Sequence, residues 1–320
     1  MNLLFTSYQS YNQQYSPGVY NYTKKDKNQT SVPNLVQQNS ISNLKNLKYL
    51  QNRNPIISEK NKQISNKKTP QKKTLIACDE LFREIDINEK TIDASKIPKY
   101  VFQTWKYKLL SEDMKSNILK LRSQHKDYKF YLCDDDMCID FLKKHFTNDV
   151  VYAFEHLIPG AFKADLWRYC VLYKYGGVYM DIKLNCINGF KLNELIHEEC
   201  YPKDVPHRQN GIWQGFLICK PKNIILKQCI DSICMHVKYK FYGNTFLSVT
   251  GPHLMYNILG KFNKLKLHHK SKVKLVRKGG KLYLYYNNKP IINFYNGWYR
   301  DRTVSGPRYA GLWHKRRIYK

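Results

Sequence analysis

The stretch richest in groups able to do chemistry is Ala164-Asp-Leu-Trp-Arg-Tyr169, followed by Tyr175-Gly-Gly-Val-Tyr-Met-Asp181-Ile-Lys183. Asp165 and Arg168 stand at i and i+3, so a helix brings both onto one face. A carboxylate beside a guanidinium suits a nucleotide: the acid accepts from ribose hydroxyls while the guanidinium forks onto oxygens. The plainer reading of the same pair is an intrahelical ion pair on a solvated face. Asp181 ends a short apolar run just after two glycines. In open α/β sheets ligands bind beyond the carboxyl ends of the strands, so an acid there is well placed. Its plainer role is to cap a turn. Lys183 sets an ammonium two residues beyond it.

The surrounding pattern supplies the elements that must position these groups. Residues 161–175 have helical spacing and stop at Gly176-Gly177, where left-handed backbone is easy. A short strand over 178–182 then delivers Asp181. Upstream, Ile97-Pro-Lys-Tyr-Val-Phe-Gln-Thr-Trp105 is β-branched and aromatic, a strand entered through Pro98. Ser111 opens a helix running to about Gln124, Tyr128–Cys133 alternates as a second strand, and Asp134 to Asp136 cap the helix after it. Residues 211–219 read as a further strand and 223–239 as a long helix. Strands alternating with helices predict an α/β fold built on an open mixed sheet with crossovers. Residues 272–277 and 281–286, joined by Lys278-Gly-Gly280, predict an added hairpin.

Charge divides the 320 residues unevenly. Residues 1–75 carry 12 Lys/Arg against 2 Asp/Glu and residues 260–320 carry 17 against 1, so the two ends supply most of the net +29. Such a field favours polyanionic partners, among them nucleotide diphosphates, nucleic acids and an anionic membrane surface. Residues 1–75, rich in Asn, Gln, Ser and Lys, predict a disordered basic extension, and 76–320 a single folded domain. Nine cysteines without a C-x-x-C pair, several inside apolar runs, predict buried reduced thiols. The apolar patch at Leu3 to Phe5 is too short for a signal peptide, and no apolar run reaches membrane-spanning length. The expectation is a cytoplasmic protein with no transmembrane segment.

In order along the chain, four pieces resemble glycosyltransferase family 32, the DXD sugar-binding group of α-1,6-mannosyltransferase and α-1,4-galactosyltransferase relatives. They are Ile97 to Trp105, against the family's I-P-K-x-x-H-Q-x-W; Ala164 to Tyr169; Tyr175 to Asp181; and Thr250-Gly-Pro252 with Trp313-His314 near the end. The resemblance implies a GT-A fold, with a Rossmann-like nucleotide-binding half. It implies transfer of a sugar from a UDP- or GDP-sugar donor to a glycan, protein or glycolipid acceptor, with retention of anomeric configuration. By the same resemblance Gln103 and Trp105 line the base and ribose pocket. Asp165, Arg168, Tyr179, Asp181, Thr250 and Gly251 hold the donor. A divalent cation, Mn²⁺ or Mg²⁺, would sit on the diphosphate.

This sequence departs from the pattern at Phe102, where the family has His, and more sharply at Lys183, which replaces the second Asp of D-x-D. An ammonium cannot ligate a hard cation. Three readings follow: Lys183 itself neutralises the diphosphate beside Asp181; the cation stays, held by Asp181, the phosphates and His314; or the degenerate site binds without catalysis. A rival class of function, binding of a polyanion or nucleic acid, follows from the basic tail interleaved with Tyr283, Tyr285, Tyr286, Tyr295, Trp298 and Tyr299. No zinc-finger, RNA-recognition or G-x-G-x-x-G pattern accompanies that tail.

Overall fold

Why the chain forms a central sheet is visible at β2, Tyr100–Thr104, where alternate side chains serve opposite faces. Phe102 packs with Tyr131, Tyr175 and Tyr179 on one side, while Val101 packs with Val178, Met180 and Phe216 on the other. The computed structural model describes residues 75–205, 211–262, 273–301 and 308–320. Apart from Leu75, the extension expected over 1–75 lies outside the described residues.

Before β2 lies a two-residue strand, β1 (Ile76–Ala77), paired antiparallel with β3 (Leu109–Leu110). Helix α1 (Glu112–Gln124) starts where the Ser111 hydroxyl accepts from the Met114 N–H at 3.2 Å. Strand β4 (Lys129–Cys133) follows, and Asp134 caps α2 (Asp135–His145) by accepting from the Met137 N–H at 2.9 Å. Helix α3 (Asn148–His156) leads into α4 (Gly160–Tyr175), which is buried nearly all round. Gly176 and Gly177, at φ +68° and +104°, end it; a Cβ on Gly176 would stand 2.6 Å from Pro221 Cδ. Only glycine turns the chain so tightly there into β5 (Gly177–Met180).

Strand β6 (Leu184–Cys186) then leaves this sheet, and β7 (Phe216–Cys219) returns to it. The central sheet runs β4-β2-β5-β7, with β4, β2 and β5 parallel and β7 antiparallel to β5. Helices α5 (Ile224–Lys238) and α6 (Pro252–Lys261) pack on the α4 side. On the other face lies a second, wholly antiparallel sheet. It joins β6 to β8 (Val273–Lys278), β9 (Lys281–Tyr286) and β10 (Lys289–Phe294) in the order β6-β10-β9-β8. Two short helices, α7 (Trp298–Asp301) and α8 (Tyr309–His314), complete the described chain.

The α/β open mixed sheet is thus the one that the alternation of strand and helix predicts. Two expectations need correction. The strand expected over 211–219 occupies only Phe216–Cys219, because Trp213 folds against Gly215, where a Cβ would lie 2.5 Å from the indole. The expected hairpin is one half of a four-stranded sheet, since Lys289–Phe294 adds a strand despite Pro290, at a point where the register slips. All nine cysteines are free, and all but Cys234 are buried. Among the described residues no helix is long and apolar enough to cross a membrane.

Candidate active site

The parallel strands end together, so Trp105 after β2, Asp135 after β4 and Asp181 after β5 come to one rim of the sheet. There they line a cavity of about 600 Å³ with Arg168, Tyr179, Lys183 and Trp298. That size lies within the range of small-ligand sites. Its charged lining holds five basic side chains, Lys106, Lys163, Arg168, Lys183 and Arg308, and two acids, Asp135 and Asp181. The surplus of cations suits an anionic ligand.

Arg168 is the hub of the inner wall. It is only 4% exposed, because α4 packs apolar side chains around almost its whole circumference. Its Nη1 lies 3.0 Å from Asp165 Oδ1 and donates to the Gln214 carbonyl at 2.5 Å, while Nε donates to the Ala164 carbonyl at 3.1 Å. Nη2 stands 3.9 Å from Asp181 Oδ1, and the guanidinium lies 4.3 Å over the Tyr179 ring. One side chain thereby ties α4 to the end of β5 and to the loop before β7.

The acids on either side are themselves fixed. Thr250 Oγ1 donates to Asp165 Oδ2 at 2.7 Å, and a Cβ on Gly251 would come within 2.8 Å of that same oxygen. Thr250-Gly251-Pro252, at the start of α6, therefore backs Asp165 from behind. Tyr179 OH donates to Asp181 Oδ1 at 2.9 Å, and Lys183 Nζ pairs with Asp181 Oδ2. The Lys183 ammonium also lies 5.3 Å from the Phe294 ring and 5.4 Å from that of Trp298.

These environments split the two carboxyls. Burial pushes Asp165 up, against the pull of Arg168 and the Thr250 hydrogen bond. Burial acts the same way on Asp181, but Lys183 and Arg168, helped by the Tyr179 hydroxyl, hold it below 3.8. For Arg168, burial works to lower the value, and Tyr179, Asp165 and Asp181 outweigh it, so the guanidinium stays charged. Burial raises the Tyr179 phenol, which keeps its proton and remains a donor. Asp135 is also raised by burial, opposed by Lys163, whose Nζ lies 3.7 Å away, and by Lys106.

Of the residues singled out in the sequence, Trp105, Arg168, Tyr179, Asp181 and Lys183 line the cavity. Asp165, Thr250 and Gly251 stand behind that lining, acting through Arg168 and one another. Gln103 is not brought to the cavity: it is 1% exposed within β2, and its amide has no hydrogen-bond partner among the described residues. His314 is exposed at the end of α8 and does not line the cavity.

Sequence reasoning missed Gln214, whose Oε1 accepts from Tyr169 OH at 2.8 Å and whose carbonyl receives Arg168. Nothing local to Trp213-Gln-Gly215 marks that role. It also assigned Trp298 to a polyanion-binding tail, whereas its ring stands 6.1 Å from that of Trp105 at the cavity.

The residues present do not fit a divalent cation. Both Asp181 oxygens are engaged, one by Tyr179 and one by the ammonium at the position where D-x-D has its second acid. Both Asp165 oxygens are engaged by Arg168 and Thr250. Among the described residues no cluster of three His, Cys, Asp or Glu side chains could hold a metal ion.

This sheet, its rim of acids and its basic cavity define an α/β protein with a site for an anionic ligand at the carboxyl ends of its parallel strands. Residues 111–202 match the glycosyltransferase sugar-binding region containing the DXD motif. Over these residues the chain is similar to that family, and its own fold is an open mixed α/β sheet. The matched region holds Asp165 to Lys183 but not Trp105, Thr250 or His314. The chain is 28% identical over 169 residues to inositol phosphoceramide mannosyltransferase 1 of Schizosaccharomyces pombe, covering 50% of each chain. It is 26% identical over 182 residues to mannosyl phosphorylinositol ceramide synthase SUR1 of Saccharomyces cerevisiae, covering 57% of this chain and 46% of that one. With the initiation-specific alpha-1,6-mannosyltransferase of Candida albicans it shares 30% over 120 residues, covering 35% and 31%. The chain thus spans about half the length, or less, of these curated relatives. Among solved structures it overlaps PaToxG glycosyltransferase with a TM-score of 0.41 and 16% identity, over 54% of this chain and 75% of that one.

Proposed function

We propose that this chain transfers a hexosyl group, mannosyl before others, from a nucleoside diphosphate sugar to an acceptor hydroxyl, with retention of anomeric configuration. The observation that carries this reading is the linked Asp165–Arg168–Tyr179–Asp181 cluster, buried but for the half-buried Asp181, facing a basic cavity at the carboxyl ends of the parallel strands. Mannose is favoured because the relatives named above are mannosyltransferases or a mannosyl phosphorylinositol ceramide synthase. The names of two of them favour an inositol phosphoceramide as acceptor. An anionic lipid surface would suit the basic ends of the sequence.

In the transfer, the bond from the anomeric carbon to the diphosphate oxygen breaks, and its electron pair leaves on that oxygen. A bond forms to the acceptor oxygen, and the acceptor's proton passes to the departing diphosphate. Negative charge grows on the leaving group, so fixed cations aimed at it lower the barrier. Arg168, immobilised by its contacts to Asp165, Gln214 and Tyr179, supplies one such cation without reorganising. Trp105 offers an aromatic wall on the nucleoside side, and Asp181, held ionised, faces the ribose or sugar hydroxyls.

The rival polyanion-binding reading loses support from the tail's own aromatics. Tyr295 is buried, Trp298 lines the cavity, and Tyr283, Tyr285 and Tyr286 are half-buried on β9. Release of nucleoside diphosphate from GDP-mannose and a panel of UDP-sugars, with Asp181→Asn beside the wild type, tests the proposal. Turnover of one donor, lost in the variant, is expected. No turnover of any donor by folded protein, with every acceptor class supplied, would overturn it.

A further inference from the structure

We propose that Lys183 is the built-in counter-ion for the diphosphate, so that this chain handles its donor without a divalent cation. The inference rests on the donor reading above and names how that site meets the charge of its ligand. Three features of the geometry carry it.

First, Lys183 takes the place where a metal would need an oxygen, and its ammonium already pairs with Asp181 Oδ2. A hard cation brought to Asp181 would have to displace that ammonium and then sit beside Arg168, a second fixed cation. Second, the ammonium is held in place. Phe294 and Trp298 flank it at 5.3 and 5.4 Å, and cation–π attraction strengthens where water is thin. The lysine side chain is 20% exposed, so it reaches the cavity without being free in solvent. Third, its backbone is pinned: the Lys183 carbonyl accepts from the Tyr295 N–H at 3.0 Å, and Leu184 N–H donates to the Asp181 carbonyl at 2.9 Å.

The arrangement does the electrostatic work asked of a cation on a leaving diphosphate. An ammonium has three N–H donors; one is committed to Asp181, and the others can meet phosphate oxygens. With Arg168 from the other side, the diphosphate gains two fixed positive charges. Asp181 keeps Lys183 oriented before the donor arrives, as fixed dipoles do in a site ordered ahead of its substrate.

Calorimetric titration of GDP and UDP into the full chain, in EDTA and in Mn²⁺, tests this without any turnover. The wild type is expected to bind one nucleotide with affinities within about twofold in the two buffers. Replacing the ammonium by an apolar chain, Lys183→Met, is expected to weaken binding by about tenfold or more in both, as loss of a charge-assisted contact does. Lys183→Asp is expected to bind poorly in EDTA and to recover in Mn²⁺, with a Mn²⁺ paramagnetic resonance signal that broadens when nucleotide is added. Should Lys183→Met not fold, Lys183→Arg against Lys183→Asp in EDTA decides the same point, with the arginine variant expected to bind more tightly. Wild-type binding that vanishes in EDTA and returns with Mn²⁺ would overturn the inference and leave the donor reading standing. So would unchanged affinity in Lys183→Met. No binding of either nucleotide in any buffer would overturn both.

Discussion

The cavity wall made by α4 and the end of β5 and the wall that carries Trp298 and Arg308 are held by different means. In the first, Asp165, Arg168 and Tyr179 are buried, Asp181 is half-buried, and each is bonded to another functional side chain: Arg168 to Asp165, Asp165 to Thr250, Tyr179 to Asp181. In the second, one buried carboxylate does most of the anchoring. Asp301 accepts from the Ser111 hydroxyl at 2.5 Å and from the Tyr295 hydroxyl at 2.6 Å, and so fixes the four-residue helix that carries Trp298. A network shared among many groups fails as a unit when one is lost; a single anchor fails locally.

That difference can be broken from either side. Arg168→Ala should have the largest effect. Leaving Asp165 buried without its guanidinium should cost about 3–5 kcal/mol of stability. Turnover should fall on the order of 10²-fold or more; thermal melts and donor-release rates read the two. Gly251→Ala should act on the same wall from behind. Its methyl would press on Asp165 Oδ2, and turnover should drop about tenfold through a displacement of under an ångström. If Gly251→Ala behaves as wild type, Asp165 does not need its present place.

On the other wall, Asp301→Asn should spare the fold and loosen Trp298. We expect KM for the donor to rise about three- to tenfold, as loss of a charged hydrogen-bond acceptor predicts, with kcat changed less. An equal fall in both kcat and kcat/KM would place Asp301 in the first wall's network instead.

The smallest expected effect is on pH. Asp165 is raised by burial, so on acidification it takes up its proton at a pH where an ordinary aspartate, near 3.8, is still ionised. Arg168 then loses its nearest negative partner, and nucleotide binding should begin to decline above pH 3.8 on the acid side. Asp181, held low, stays ionised through that step. For folding the sign is opposite: ionising Asp165 costs stability as pH rises through its raised value, because the folded state favours the proton there. Asp165→Asn should remove the acid limb of the binding profile while leaving the response of Asp181.

The first wall was legible in the sequence and the second was not, for a physical reason. Asp165 and Arg168 sit on one helix and Asp181 just after the next strand, so local periodicity and the Gly176-Gly177 stop bring them near each other. The capping residues Ser111 and Asp134 were readable in the same way. Phe294 and Trp298 reach Lys183 only because β10 pairs with β6, from Phe294 opposite Leu184 to Ile292 opposite Cys186. No local pattern encodes that register. Gln103 shows the converse. The family motif placed it in the donor pocket, yet it is buried within β2 and lines no part of the cavity.

Amide hydrogen exchange with and without saturating GDP or UDP tests most directly whether the cavity between these walls is the donor site. Protection is expected in peptides covering 160–183 and 294–301 together, and loss of that pattern in Arg168→Ala. Protection confined to the basic strands β8 and β9, with 160–183 unchanged, would contradict the account and return the function to the charged surface.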